Sequence, residues 1–219
     1  MVIAIDGPAG VGKSTIAALL AKKLNLYYLN SGSFYRAITY AHLLNHDDIL
    51  DKDAVLETAK SITLSVKNSK VCIDGEDVED KLHTPKVDKF VSPVSVDPRI
   101  REIVNYNIRE IAKGLDIIAE GRDITTVVFP NAEFKFYFDA NAEIRAKRRF
   151  EQQTEAEDFE TILSEIKKRD KNDKEKPVGS LKIANDAIII DTSYLTITQV
   201  CEKVIKAINT QDFARNIGI

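Results

Sequence analysis

Short apolar runs, each followed by a stretch of helical periodicity, set the rhythm of this chain. Val2, Ile3, Ala4 and Ile5 form an unbroken run of strand length, as expected of a strand buried on both faces. Ile16, Leu19, Leu20 and Leu24 then recur at three- and four-residue spacing, the mark of a helix with one buried stripe. A second run at 26–29 ends in Asn30-Ser31-Gly32, and residues 33–45 read as a helix carrying Tyr35, Ile38, Leu43 and Leu44. Runs at 117–119, 134–138 and 187–190 predict three more strands. Helices are expected at 98–113, 142–153, 159–170 and 198–208, the first opened by Asp97 as N-cap with Pro98 behind it. Between them Ile62, Leu64 and Val66, then Val71 and Ile73, alternate with polar residues about the polar turn 67–70. That alternation predicts a half-buried antiparallel hairpin inserted near 60–80. Strands alternating with helices predict an α/β fold with a five-stranded parallel sheet flanked by helices.

Between the first strand and the first helix lies GPAGVGKST, with Gly7, Pro8, Ala9, Gly10, Val11, Gly12, Lys13, Ser14 and Thr15 in order. This is G-x-x-x-x-G-K-[ST], the phosphate-binding P-loop, in the strand-to-helix setting that the motif requires. Glycine backbone wraps closely enough to aim successive N–H groups at phosphate oxygens, and the helix adds the positive end of its dipole. Lys13 is expected on the β and γ phosphates of ATP, with the Ser14 hydroxyl holding Mg²⁺ together with phosphates and water. Ligands of open parallel sheets sit beyond the carboxyl ends of the strands. Polar groups gather there again: Asn30-Ser31-Gly32, then Glu120-Gly121-Arg122-Asp123, then Asp139.

Composition narrows the setting. At 219 residues and 44% hydrophobic content, the chain is expected to form a single domain over 1–219. A net charge of −3 gives no global pull toward nucleic acid, and none is expected as a partner. Cys72 and Cys201 fit no zinc or disulfide pattern, and no apolar run approaches the ~20 residues that cross a bilayer. A cytoplasmic monomer without membrane contact is the expectation.

A P-loop alone says only that phosphate is bound. No aspartate is followed by glycine three places on, and neither N-K-x-D nor L-S-G-G-Q occurs, which removes GTPases and transporter ATPases. Small kinases remain. The segments GPAGVGKST, SGSFYR (31–36), DPRIRE (97–102), EGRDITTVVFP (120–130), IKKRDKND (166–173) and NDAIIIDTS (185–193) resemble the bacterial cytidylate kinases, in that family's order and over nearly the whole chain.

The resemblance implies the P-loop kinase fold and ATP-dependent phosphorylation of CMP and dCMP. It also implies a monophosphate-binding region near 34–113 and a mobile lid near 150–166, with residues 154–158 as its tip. By the same resemblance Ser31 and Arg36 bind the substrate, Arg36 holding the acceptor phosphate, and Ser92, Arg101 and Asp123 surround the cytosine. A carboxylate accepts from the exocyclic amine of cytosine and repels the carbonyl of uracil. Arg122 faces phosphate, Arg169 and Asp173 contact acceptor phosphate and ribose, and Lys176 stands where the family has arginine. Lys13, Arg122, Asp123, Arg169 and Asp173 form the implied catalytic set. Arg145, Arg148 and Arg149 share one helical face, and the resemblance puts Arg145 and Arg149 on ATP. Read from the residues alone, that trio is a solvated face; the alternatives to the roles above are an exposed helix arginine for Arg36 and a cap or ion pair for Asp123. Two further departures from the family are Asn30 for aspartate near Mg²⁺ and Ser180 for proline. A kinase for AMP, UMP or a non-nucleotide alcohol, or an ATP-binding regulatory protein without turnover, remains open at this point.

Overall fold

The computed structural model describes residues 1–152 and 158–216, with the side chains of 152 and 211–216 left aside. Its centre is β1 (Val2–Asp6), whose residues from Ile3 onward are completely buried. The chain continues through α1 (Lys13–Leu24), β2 (Tyr27–Asn30), α2 (Ser31–Leu43), α3 (Lys52–Ser61), β3 (Leu64–Lys67), β4 (Lys70–Ile73), β5 (Glu76–Asp77), α4 (Pro85–Val94) and α5 (Pro98–Ala112). Then follow β6 (Ile117–Gly121), a π turn at Ile124–Val128, β7 (Phe134–Asp139), α6 (Ala142–Gln152), α7 (Phe159–Glu175), β8 (Ile188–Asp191) and α8 (Ile197–Asn216).

Five strands pair in parallel in the order β2-β6-β1-β7-β8, and β1 is in register with Ile117 at Val2 and with Phe134 at Ile3. The two faces follow from the two-residue period of a strand. Ile3 and Ile5 join Ile118, Phe134, Phe136 and Phe138 on one side, where Ile16, Leu20, Val200 and Val204 of α1 and α8 cover them. Ala4 and Ala119 lie on the other, under Phe34 and Ile38 of α2 and Ile100, Val104 and Ile108 of α5. Each fully buried phenylalanine of β7 contributes about 1.5–3 kcal/mol through burial. The chain leaves β1 toward β6 and β2 first, and only later places β7 on the opposite side. This reversal opens a crevice at the carboxyl end of β1, where the P-loop begins.

The expected insert is present as a three-stranded antiparallel sheet, one strand more than the hairpin read from the alternation. Asn68 and Ser69 both adopt positive φ (53° and 62°), the two-residue turn whose twist suits a hairpin. Asp74-Gly75 repeats that geometry and adds β5. The Glu79 carboxylate fastens the insert to the body, accepting from the Ser33 hydroxyl of α2 (2.8 Å) and the Val71 N–H (2.9 Å). Two helices, α3 and α4, were not foreseen. Asp51 caps the first by accepting from Asp53 and Ala54 N–H, and Thr84 caps the second ahead of Pro85.

α6 and α7 pack on each other through Ala146, Ile162, Leu163 and Ile166, a cluster separate from both sheet faces. Most of the expected lid tip lies outside the described residues. Asp158, at its end, caps α7 by accepting from the Thr161 N–H (2.9 Å). No described helix is long and apolar enough to cross a membrane.

Candidate functional site

A cleft of about 840 Å³ runs across the carboxyl ends of the strands and brings together residues from every motif read in the sequence. Gly10 to Ser14 line it together with Arg36, Ser92, Arg101, Asp123, Arg169, Asp173 and Lys176.

The P-loop turns immediately out of β1. At Gly7 a β-carbon would stand 2.2 Å from the Phe138 carbonyl oxygen, so only glycine lets the loop pass β7. Carbonyls of the loop are taken up by the protein: Pro8 by Lys13 Nζ (2.8 Å), Ala9 by Arg145 Nη1 (3.1 Å) and Val11 by Thr192 Oγ1 (3.1 Å). First-turn N–H groups of α1 lack intrahelical acceptors, which suits the loop to an anion. Lys13 is buried, and that burial, aided by the Arg122 cation, pulls its pKa down to about 7. A bound phosphate group would supply the negative charge that this ammonium lacks.

Ser14 Oγ donates to Glu120 Oε1 (2.5 Å), which also accepts from Tyr28 OH (3.1 Å). Burial beside Glu120 raises the Tyr28 phenol far above its ordinary value, so it stays a donor. A hydroxyl and a buried carboxylate make a hard-oxygen corner beside the loop, and the residues fit Mg²⁺ held by Ser14, phosphates and water. Among the described residues no cluster of three acidic, His or Cys side chains could hold a metal by itself. Asn30 caps α2, its Oδ1 accepting from the Gly32 N–H (2.9 Å), so the carboxamide is engaged locally.

Beyond the P-loop, Ser31 is buried and donates to the Glu120 carbonyl (3.0 Å), tying α2 to β6. Arg36 is held by the Leu82 carbonyl (2.9 Å) and Asp88 (2.6 Å) at the edge of α4. Arg101 and Asp123 form a buried ion pair, 4% and 6% exposed, through Arg101 Nη2 and Asp123 Oδ2. The same guanidinium donates from Nη1 to the Ser95 carbonyl (2.9 Å) and lies over the Tyr35 ring, 5.4 Å from its centroid. Ser92 stands on α4 at the cleft wall. Of the two outcomes read from the residues for Asp123, the ion pair is present and the cap is not, because its side chain makes no cap hydrogen bond; Asp123 also lines the cleft.

Asp123 is placed by a residue the sequence reading passed over. Asp6, at the end of β1, accepts from the N–H groups of Ile124 (2.9 Å) and Thr125 (2.8 Å) and from the Thr125 hydroxyl (2.6 Å). Total burial raises its pKa to about 6 against the pull of those donors. A lone acid closing an apolar strand was the available signal.

Arginines converge from three elements. Arg122 Nε donates to Asp173 Oδ2 (2.7 Å), and Lys176 Nζ lies 3.6 Å from Asp173 Oδ1. Burial would raise the Asp173 carboxyl, but the Arg122 and Lys176 cations outweigh it and hold it below its ordinary value. Burial and neighbouring Arg122 depress Arg169, which lines the cleft from α7 without an ion-pair partner among the described residues. Arg145 is committed to the protein: Nε to the Ala140 carbonyl (2.9 Å) and both terminal nitrogens to Asp170 (2.9 and 2.5 Å). Arg148 Nη2 donates to the Thr192 carbonyl (2.5 Å), whereas Arg149 faces Glu165 at 3.5 Å and is half exposed. The trio is thus not a solvated face, and it divides into two structural anchors and one freer cation. Asp170 is the second residue that sequence missed, because its partner lies 25 positions away.

Residues 3–210 match the sequence profile of the family described as cytidylate kinase. Cytidylate kinase of Caldanaerobacter subterraneus subsp. tengcongensis is 44% identical over 210 residues, covering 94% of this chain and 93% of that protein. Cytidylate kinase of Thermodesulfovibrio yellowstonii is 41% identical, with 94% and 97% covered. Among solved structures, shikimate kinase from Bacteroides thetaiotaomicron superposes with a TM-score of 0.53 over 95% of this chain and 98% of its own. At 11% identity that likeness shows a shared fold and nothing of the substrate.

Proposed function

The chain belongs to the cytidylate kinase family, and on that premise we propose that it transfers the γ-phosphoryl group of ATP to CMP and dCMP, releasing ADP with CDP or dCDP. The observation that carries the reading is the cleft itself. Its P-loop end offers Lys13 and free helix-terminal N–H groups to a triphosphate, and its other end offers a buried Arg101–Asp123 pair to a base. Asp123 Oδ1, not engaged by the ion pair, suits the exocyclic amine of cytosine, and a uracil carbonyl there would meet like charge. Arg36, Arg122 and Arg169 line the same cleft and suit the acceptor phosphate.

The acceptor phosphate attacks as an anion, so no strong general base is needed. Transfer rests on in-line positioning and on cations that match the charge spread over the moving group. Lys13, Arg122 and Arg169 supply that charge from the chain, and Arg149 extends it toward the lid. Mg²⁺, held through Ser14, would neutralise charge between the β and γ phosphates. We further read 1–219 as one domain, with 34–113 receiving the acceptor and 150–166 closing over the donor to exclude water. A cytoplasmic monomer is the setting we propose.

A coupled assay offering MgATP with CMP, dCMP, UMP and AMP in turn tests the reading. CMP and dCMP should each stimulate ADP release at least tenfold more than AMP. Absence of CMP-stimulated release from folded protein would overturn it in favour of a regulatory ATP-binding role.

A further inference from the structure

After α7 the chain doubles back: the Leu181 N–H returns to the Asp173 carbonyl (2.7 Å), and Leu181 is buried. At the apex Gly179 adopts φ +62°. A β-carbon there would stand 2.2 Å from both Cζ and Nη2 of Arg101 and 2.5 Å from its Nε. The backbone of this loop therefore lies directly against the Arg101 guanidinium. Arg101 Nε is buried without a hydrogen-bond partner, so nothing polar fixes that edge. The group is instead located by contact: Gly179 on its Nε and Nη2 edge and the Tyr35 ring 5.4 Å away, with Ser95 and Asp123 taking the two terminal nitrogens.

We propose that Gly179 is a specificity-positioning residue, setting the place of Arg101 and through it the Asp123 carboxylate that meets the acceptor base. Gly179 acts through Arg101 and not on substrate, and the proposal rests on the cytidine-nucleotide reading above. Any side chain at 179 meets two obstacles, a left-handed backbone and a flat cation within overlap distance. The guanidinium must give way, because the loop is stapled at Asp173. A displaced Arg101 carries Asp123 with it or breaks the pair, and a misplaced carboxylate discriminates poorly between an amine and a carbonyl. On the reading above ATP meets the P-loop, whose carbonyls are held by Lys13, Arg145 and Thr192 and not by this loop.

The test compares Gly179→Ala with the unaltered protein in steady-state kinetics, varying CMP, UMP and ATP separately. The expected result is a KM for CMP at least tenfold higher, a CMP-over-UMP preference in kcat/KM at least fivefold lower, and a KM for ATP within twofold. Gly179→Asn, which tolerates left-handed backbone but carries a β-carbon, should show the same selectivity loss and serves if the alanine variant fails to fold. In an Arg101→Lys background, where the flat group is gone, adding Gly179→Ala should change the KM for CMP less than twofold. An unchanged CMP-over-UMP preference in both variants, or equal rises in the KM of CMP and ATP, overturns the positioning role. Failure of the unaltered protein to use CMP overturns the functional reading instead, so the two failures are told apart within one experiment.

Discussion

Lys13 sits where burial and charge oppose each other. With its pKa drawn down to about 7, the ammonium is only partly charged near neutrality until phosphate arrives. Bound anion restores the higher value, so ATP binding above neutrality takes up a proton. Between pH 7 and 9 ATP affinity should therefore fall, by at most about tenfold per unit. Calorimetry at pH 8 in buffers of different ionisation enthalpy should register an uptake approaching one proton, and zero uptake would refute the assignment. In the free protein the sign is set by the same shift: the folded state gives up this proton more readily than the unfolded chain. The Lys13 contribution to stability thus improves as pH rises from about 7 toward the unfolded value. Lys13→Ala should cut transfer at least about a hundredfold, with circular dichroism and melting temperature unchanged or better. At this scale the sequence was informative wherever chemistry is local. The order Gly7 to Thr15 identified the loop without any knowledge of tertiary contacts. Asp6 and Asp170 escaped because their partners, the Thr125 N–H and Arg145, are neighbours only after folding.

Among the elements, the legible ones were those whose apolar pattern had one clear period. β1, β6 and β7 read as continuous runs because both faces are covered, and α5 announced itself through Asp97 and Pro98. α4 did not, although Val87, Val91 and Val94 have helical spacing, because Pro93 lies within it and resembles a stop. β5, two exposed residues long, has no pattern to read. The α6–α7 pair carries the clearest consequence at this scale. Arg145 is almost wholly buried and Asp170 is 17% exposed, so their paired bonds tie α7 to α6 and, through the Ala9 carbonyl, to the P-loop. Asp170→Asn removes the charge from one side of that tie. The expected cost is about 2 kcal/mol by urea denaturation, below the full 3–5 of a sealed pair because water reaches Asp170. The KM for ATP should rise several-fold with that for CMP nearly constant, and unchanged values for both would show that the tie has no bearing on the donor site.

For the whole molecule, two apolar layers on opposite faces of one sheet mean that the P-loop and the Arg101–Asp123 pair rest on different cores. α1 and α8 back the P-loop, whereas α2 and α5 back the Arg101–Asp123 pair. On the proposed reading nucleotides bind between these halves, and a ligand that binds only the folded chain stabilises it. At one hundred times its dissociation constant, each should add about 2.7 kcal/mol. For a chain of this size that corresponds to a rise of roughly 5–10 °C in Tm, read by scanning calorimetry. A shift with ATP but none with CMP at any concentration would count against the acceptor half of the site.

The separate cluster of Ala146, Ile162, Leu163 and Ile166 has a thermal consequence. Because these side chains cover one another and not the sheet, the lid closure proposed above would swing the α6–α7 arm without baring the main cores. Motion that leaves apolar surface dry carries almost no change in heat capacity. Unfolding of the sheet should show the usual steep curvature with temperature, but the swing of the arm should not. Its free-energy cost, set by charges and hydrogen bonds at its root, should follow a nearly straight line from cold to warm.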